Sequence, residues 1–197
     1  MIVAVEGMDG VGKTTLAKSI EKDLSFEYIK DPLKELFEVN DEHLIKISEK
    51  IFNSKDDKLI SWYVGLGDSY ALSKYKNKDI IMDRHILLNY FWNGNMNTEK
   101  IFETLIDMFG RPDLVILLRA TPSTRMKRIK DRNPNDPDLQ KPIMREYGYD
   151  KMIEFLDKYK YNYVVIDTDE LSKEETLEEC KKKIKEYRET KKIWYNH

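Results

Sequence analysis

Gly7-Met-Asp-Gly-Val-Gly12-Lys13-Thr14 follows the spacing Gly-x-x-x-x-Gly-Lys-Thr, in which backbone amides rather than side chains do most of the work of holding phosphate. Gly7, Gly10 and Gly12 leave no Cβ in the way and open backbone angles closed to other residues, so successive N–H groups turn inward on an anion. Lys13 supplies a mobile cation for the β- and γ-phosphates, and the Thr14 hydroxyl is a hard oxygen suited to Mg²⁺. Asp9, Val11 and Thr15 complete the loop as candidate phosphate contacts. The chemistry such a loop performs is the binding of a nucleoside triphosphate.

A second constellation, Asp83-Arg84-His85, stands directly after the apolar run Ile80-Met82. Ligands of parallel α/β sheets gather at the carboxyl ends of strands, which places Asp83 and Arg84 beside the P-loop. A carboxylate there can hold a water of the Mg²⁺ shell or accept a proton, and the planar Arg84 fork suits a second phosphate. A third constellation is the basic segment Arg125, Lys127, Arg128, Lys130 and Arg132. It runs into Asp131 to Pro142, where three prolines and two asparagines interrupt a helical pattern, with Lys141 and Arg145 at the far end. Phosphoryl transfer spreads negative charge over the moving group, so cations on a segment that closes meet its need. Arg132, at the base of the loop, is the first choice for that task and Arg128 a further contact to ATP; at least two of these basic residues should form only a solvated face.

These groups need a frame that brings two strand ends together. Short β-branched runs alternate with helical stripes, a pattern of the α/β class with a parallel sheet covered by helices. The expected strands are Ile2-Val5, Phe26-Ile29, Ile80-Met82, Leu114-Leu118 and Tyr163-Ile166. After the P-loop, Leu16, Ala17, Ile20 and Leu24 recur at helical spacing. Asp41 is expected to cap a helix carrying Leu44, Ile45, Ile47, Ile51 and Phe52, and a longer helix after Asp57 carries Leu59, Tyr63, Leu66 and Tyr70 on one face; both are expected to face the core. Thr98 opens a helix with Ile101, Phe102, Leu105, Ile106 and Phe109 that closes at Gly110. Thr121-Pro122 opens another, and Leu177, Cys180, Ile184 and Tyr187 form the stripe of a last one.

The 197 residues are expected to form one domain, 1–197, with a lid segment at about 131–145. With 34 basic and 36 acidic residues the net charge is -2, so no overall field collects nucleic acid or an anionic membrane. Cys180 is the only cysteine and cannot form an internal disulfide, which together with the need for nucleotide and Mg²⁺ points to the cytoplasm. No apolar stretch approaches membrane-spanning length, and the P-loop begins too near Met1 to leave room for a signal peptide.

Together these residues resemble the thymidylate kinase family of nucleoside monophosphate kinases, over nearly the whole chain. Glu6-Gly-Met-Asp-Gly-Val-Gly-Lys-Thr-Thr15 is similar to the family's E-G-x-D-G-x-G-K-T-T loop, Asp83-Arg84-His85 to its D-R-[YH] motif, and Arg111-Pro-Asp-Leu-Val-Ile-Leu-Leu118 to its fourth strand. Asp167-Thr168 resembles the short turn near the adenine. The resemblance implies a three-layer P-loop kinase fold with a five-stranded parallel sheet flanked by helices, ATP with Mg²⁺, and transfer of the γ-phosphoryl group to a deoxynucleoside monophosphate. It further implies that Asp9 meets the acceptor sugar, Arg84 the acceptor phosphate and Arg132 the adenine face, and that the protein is a homodimer. Members whose P-loop lacks arginine, as here with Met8, Gly10 and Val11, carry the catalytic arginine on the lid.

Two departures bear on specificity. The family's base-binding helix carries a stacking aromatic and, four residues later, an arginine that bonds thymine. Residues 59 to 75 here contain no arginine but offer Trp62, Tyr63, Asp68 and Ser69. A donor replaced by an acceptor changes which base edge is read; Trp62 and Tyr63 serve equally well as core. The second arginine expected on the lid is also missing, leaving Lys141 or Arg145 to replace it. Three readings follow: a nucleoside monophosphate kinase with the base open, a deoxynucleoside kinase using Asp31 of Asp31-Pro32 as base, and a non-catalytic nucleotide-sensing module.

Overall fold

β1 (Ile2–Glu6) is buried along its whole length, as a continuous apolar run must be when helices cover both faces of a parallel sheet. The structure is a computed structural model and describes residues 1–141 and 148–195. β1 lies at the centre of a five-stranded sheet ordered β2-β3-β1-β4-β5, with β2 at Glu27–Ile29, β3 at Ile80–Asp83, β4 at Leu114–Arg119 and β5 at Tyr163–Asp167. Every pairing is parallel. Register sets Val5 opposite Asp83 and Glu6 opposite Leu117, so the P-loop emerges between the carboxyl ends of β3 and β4, where such sheets bind ligands.

The helices are α1 (Lys13–Leu24), α2 (Pro32–Leu36), α3 (Asp41–Phe52), α4 (Asp57–Lys74), α5 (Ile86–Asn93), α6 (Glu99–Phe109), α7 (Pro122–Arg132), α8 (Tyr149–Lys158) and α9 (Lys173–Tyr195). α1 buries Leu16, Ala17 and Ile20, as its spacing predicts. α6 buries Ile101, Phe102, Leu105 and Ile106 and ends at Gly110, whose φ of +84° suits a residue without a Cβ. In α9, Cys180 and Ile184 are buried, with Leu177 and Tyr187 packed at the rim of the core. No described helix is long and apolar enough to cross a membrane.

Two expectations are corrected. α3 buries none of its residues: Ile45 is 56% and Phe52 48% exposed, because the helix packs on α2 and α4 instead of on the sheet. Its Leu44, Ser48 and Phe52, one turn apart, line a cavity. α4 is rotated from the expected face: Ile60, Tyr63, Gly67, Asp68 and Ala71 point inward, while Leu59 and Leu66 are exposed. Glycine at Gly65 and Gly67 sets this rotation. A Cβ on Gly65 would fall 2.4 Å from Leu105 of α6, and one on Gly67 would fall 2.9 Å from Leu33 of α2. The caps of both helices also lie one residue earlier than expected, at Asn40 and Asp56, whose side chains accept backbone N–H bonds from His43 and from Lys58 and Leu59.

Candidate active site

The P-loop closes on its own lysine. Gly7 has φ +135°, and a Cβ there would stand 2.3 Å from the Leu118 carbonyl, so glycine alone lets the loop leave β1 beside β4. Lys13 is buried and folds back, its Nζ donating to the carbonyls of Gly7 at 2.8 Å and Met8 at 3.0 Å, with Asp9 3.5 Å away. Burial pushes its pKa below the ordinary amine value, against the pull of Asp9. Beneath it Glu6 is wholly buried and accepts the His85 N–H at 2.8 Å. Burial raises the Glu6 carboxyl to about 8, opposed by the Lys13 charge, and lowers the His85 imidazole to about 3.

Thr14 Oγ1 donates to Asp83 Oδ2 at 2.6 Å, and the Tyr28 hydroxyl donates to the same oxygen at 2.9 Å. Asp83 Oδ1 is buried with no partner among the described residues. Arg84 Nη2 reaches Asp9 Oδ1 at 3.1 Å from a backbone with φ +88°, in the left-handed region that residues carrying a Cβ avoid. The motif after β3 thus touches the P-loop at Thr14 and at Asp9.

Two cavities flank this contact. The larger, about 690 Å³, is lined by Asp9, Gly10, Val11, Gly12, Lys13, Thr14 and Thr15, together with Arg84, Arg128, Arg132 and Thr168. Arg128 Nη1 donates to Thr168 Oγ1 at 2.9 Å and to the Val11 carbonyl at 3.4 Å, so α7, the P-loop and the turn after β5 meet at one guanidinium. Arg132 is 70% exposed and pairs with Asp136 at 2.9 Å, just before a 3₁₀ turn at Pro137–Gln140. Of the other basic residues, Arg125 is wholly buried, Lys127 and Lys130 are exposed and line neither cavity, and Lys141 pairs with Asp138. Arg145 lies outside the described residues.

The second cavity, about 490 Å³, is lined by Tyr63, Asp68 and Arg84 of the expected acceptor set, with Asp31, Asn89 and Trp92. Tyr63 packs edge-on to Phe52 at 6.2 Å and its hydroxyl lies 2.8 Å from Ser48 Oγ. Trp62 is the exception: it lines neither cavity and is 45% exposed, since neighbours in a helix point about 100° apart and Tyr63 takes the inward place. Asn89 and Trp92 escaped the sequence reading although they share one side of α5, three residues apart, directly after Asp83-Arg84-His85. A polar side chain inside the apolar run Ile86-Asn93 was the available signal.

Thr14 and Asp83 bring hard oxygens together at the phosphate loop, a donor set suited to Mg²⁺, while no cluster of three or more metal-ligating residues exists among the described residues. The thymidylate kinase family profile matches residues 5–184. The chain belongs to the thymidylate kinase family. It is 29% identical over 188 residues to the protein named "Probable thymidylate kinase 1" of Saccharolobus solfataricus, covering 93% of this chain and 96% of that one. It is 26% identical to "Probable thymidylate kinase" of Methanocaldococcus jannaschii, covering 91% and 93%. In fold it is similar to a deoxyadenosine kinase from M. mycoides solved with dCMP and dCDP, with a TM-score of 0.67 at 24% identity over 94% of this chain and all of that one. Thymidylate kinase family membership makes the chain a nucleotide phosphotransferase that draws its phosphoryl group from ATP.

Proposed function

We propose that this protein transfers the γ-phosphoryl group of ATP to a deoxynucleoside monophosphate, with Mg²⁺ at the donor phosphates. One observation carries the reading: Arg84 lines both cavities and is the only residue to do so among the described residues, so donor and acceptor sites meet at its guanidinium. The P-loop amides and Lys13 hold the β- and γ-phosphates, Lys13 exchanging the Gly7 and Met8 carbonyls for phosphate oxygens. Thr14, and Asp83 through water, would hold Mg²⁺, which supplies neutralisation of charge on the bridging oxygens. Arg84 orients the acceptor phosphate with its planar fork, and Asp9 faces the acceptor sugar. Arg132 closes over the transferring group, and Arg128 with Thr168 borders the donor base. Tyr63 and Asp68 line the place of the acceptor base.

A second reading, transfer to the hydroxyl of a deoxynucleoside, draws support from Asp31, which lines the acceptor cavity and could act as base there. Incubation of the protein with ATP, Mg²⁺ and each nucleoside or monophosphate separates the two by ADP release. Turnover with monophosphates is expected; turnover confined to unphosphorylated nucleosides would establish the second reading. A homodimer is proposed as well, supported by Leu59, Trp62 and Leu66, which recur along one side of α4 at 43%, 45% and 43% exposure. The single, buried Cys180 supports a cytoplasmic setting.

A further inference from the structure

Asp68 lies on the inner side of α4, only 8% exposed, and lines the acceptor cavity. Its Oδ2 has no hydrogen-bond partner among the described residues. Burial, reinforced by the Glu6 carboxyl, holds its pKa well above the usual carboxylate range. A buried carboxyl left without a donor is destabilising unless a ligand supplies one.

The rest of the wall deepens the mismatch. Asp31 and Asp83 add two further carboxylates. Asn89 gives one amide N–H to the Ser61 carbonyl at 3.0 Å. Of the cations in the wall, Lys30 pairs with Asp31 of the same cavity at 3.6 Å and Arg84 with Asp9. A base entering this cavity therefore meets three carboxylates beside the Ser48 and Tyr63 hydroxyls, which bond each other, and the His85 and Trp92 rings.

We propose that Asp68 reads the base of the acceptor, selecting one with an exocyclic amino group, cytosine or adenine, over thymine or uracil. This rests on the monophosphate kinase reading above. The amino N–H gives a carboxyl oxygen its missing donor whichever protonation state the acid holds. When protonated, the acid also donates to the ring nitrogen beside that amino group, completing a two-bond pair. Thymine turns a carbonyl oxygen to the same place, which an ionised carboxylate repels and only the protonated acid can serve, so the amino-bearing bases are bonded in both states of Asp68 and thymine in one. Tyr63 and Phe52 supply apolar flanks for the ring.

The test compares dCMP, dAMP and dTMP as acceptors, with ATP and Mg²⁺, for the wild type and Asp68→Asn, and measures calorimetric binding of each monophosphate alongside. For the wild type, kcat/KM for dCMP or dAMP is expected to exceed that for dTMP by roughly tenfold or more. The carboxamide donates to a base carbonyl in every state, so Asp68→Asn should bring the ratio to within about threefold. Preference of the wild type for dTMP, or an unchanged ratio in the variant, would overturn the assignment. No turnover with any monophosphate would instead overturn the kinase reading, and the affinity order of dCMP and dTMP would then still decide the role of Asp68. Circular dichroism verifies folding of the variant; should it not fold, Asp68→Ser, which also removes the carboxyl, takes its place in the same comparison.

Discussion

Thr14 Oγ1 donates to Asp83 Oδ2 across 2.6 Å, joining the first turn of α1 to the carboxyl end of β3. The bond holds a hydroxyl and a carboxylate side by side, as the hard cation proposed for this site would require. Asp83→Asn keeps the volume and an acceptor for Thr14 but removes the charge. Turnover should fall on the order of 100-fold or more, with a raised Mg²⁺ requirement. Steady-state rates across a Mg²⁺ titration check this; an unaltered rate and requirement would remove Asp83 from the metal site.

Lys13→Ala should abolish measurable turnover, a loss on the order of 1000-fold, because a point charge vanishes where negative charge develops. It also leaves the Gly7 and Met8 carbonyls without their donor. ADP release is the readout, with normal rates in the variant contradicting the role.

Arg84→Ala should raise the acceptor KM and lower kcat while leaving ATP affinity within about twofold, as the role proposed for its fork at the second phosphate requires. Calorimetry with ATP and steady-state kinetics with the acceptor separate the two effects. A loss confined to ATP affinity would assign Arg84 to the donor instead.

Glu6 gives a pH signature. Its carboxyl is raised from 4.5 to about 8 by burial, so the folded state holds that proton more tightly than the unfolded state. The stabilisation is complete below about pH 4.5 and is lost as pH climbs through about 8. Glu6→Gln, neutral throughout and able to keep the bond from the His85 N–H, should flatten the decline in melting temperature over that window. Parallel melting curves in both proteins would argue that Glu6 ionises freely in the fold.

Leu66→Glu on the outer side of α4 should shift the protein toward monomer in sedimentation with little effect on thermal stability of the subunit, as charge is added to an apolar strip. A wild-type protein that sediments as a monomer would refute the homodimer.

All five strands and the P-loop were legible, for a shared reason. Central parallel strands must be apolar on both faces, so Ile2-Val5 and Leu114-Leu118 stand out as unbroken runs, and the phosphate loop is built from neighbouring residues. Helix orientation was less legible. α4 carries large apolar groups on both sides, Ile60 and Leu72 inward, Leu59 and Leu66 outward, so its stripe has no unique direction. Gly65 and Gly67 break the tie through contacts with Leu105 and Leu33, which depend on chain packing distant in sequence. The same ambiguity placed Trp62 in the acceptor site. α3 shows the converse: its apolar face is real but partly borders a cavity.

The left-handed torsion of Arg84, φ +88°, sets two kinds of fitness against each other. Glycine would relax that bond, a gain of about 1 kcal/mol, and selection for heat resistance alone would favour the exchange. The exchange would also silence a side chain that lines both chambers. Directed evolution toward a tougher variant should therefore hold position 84 constant and seek its improvements elsewhere.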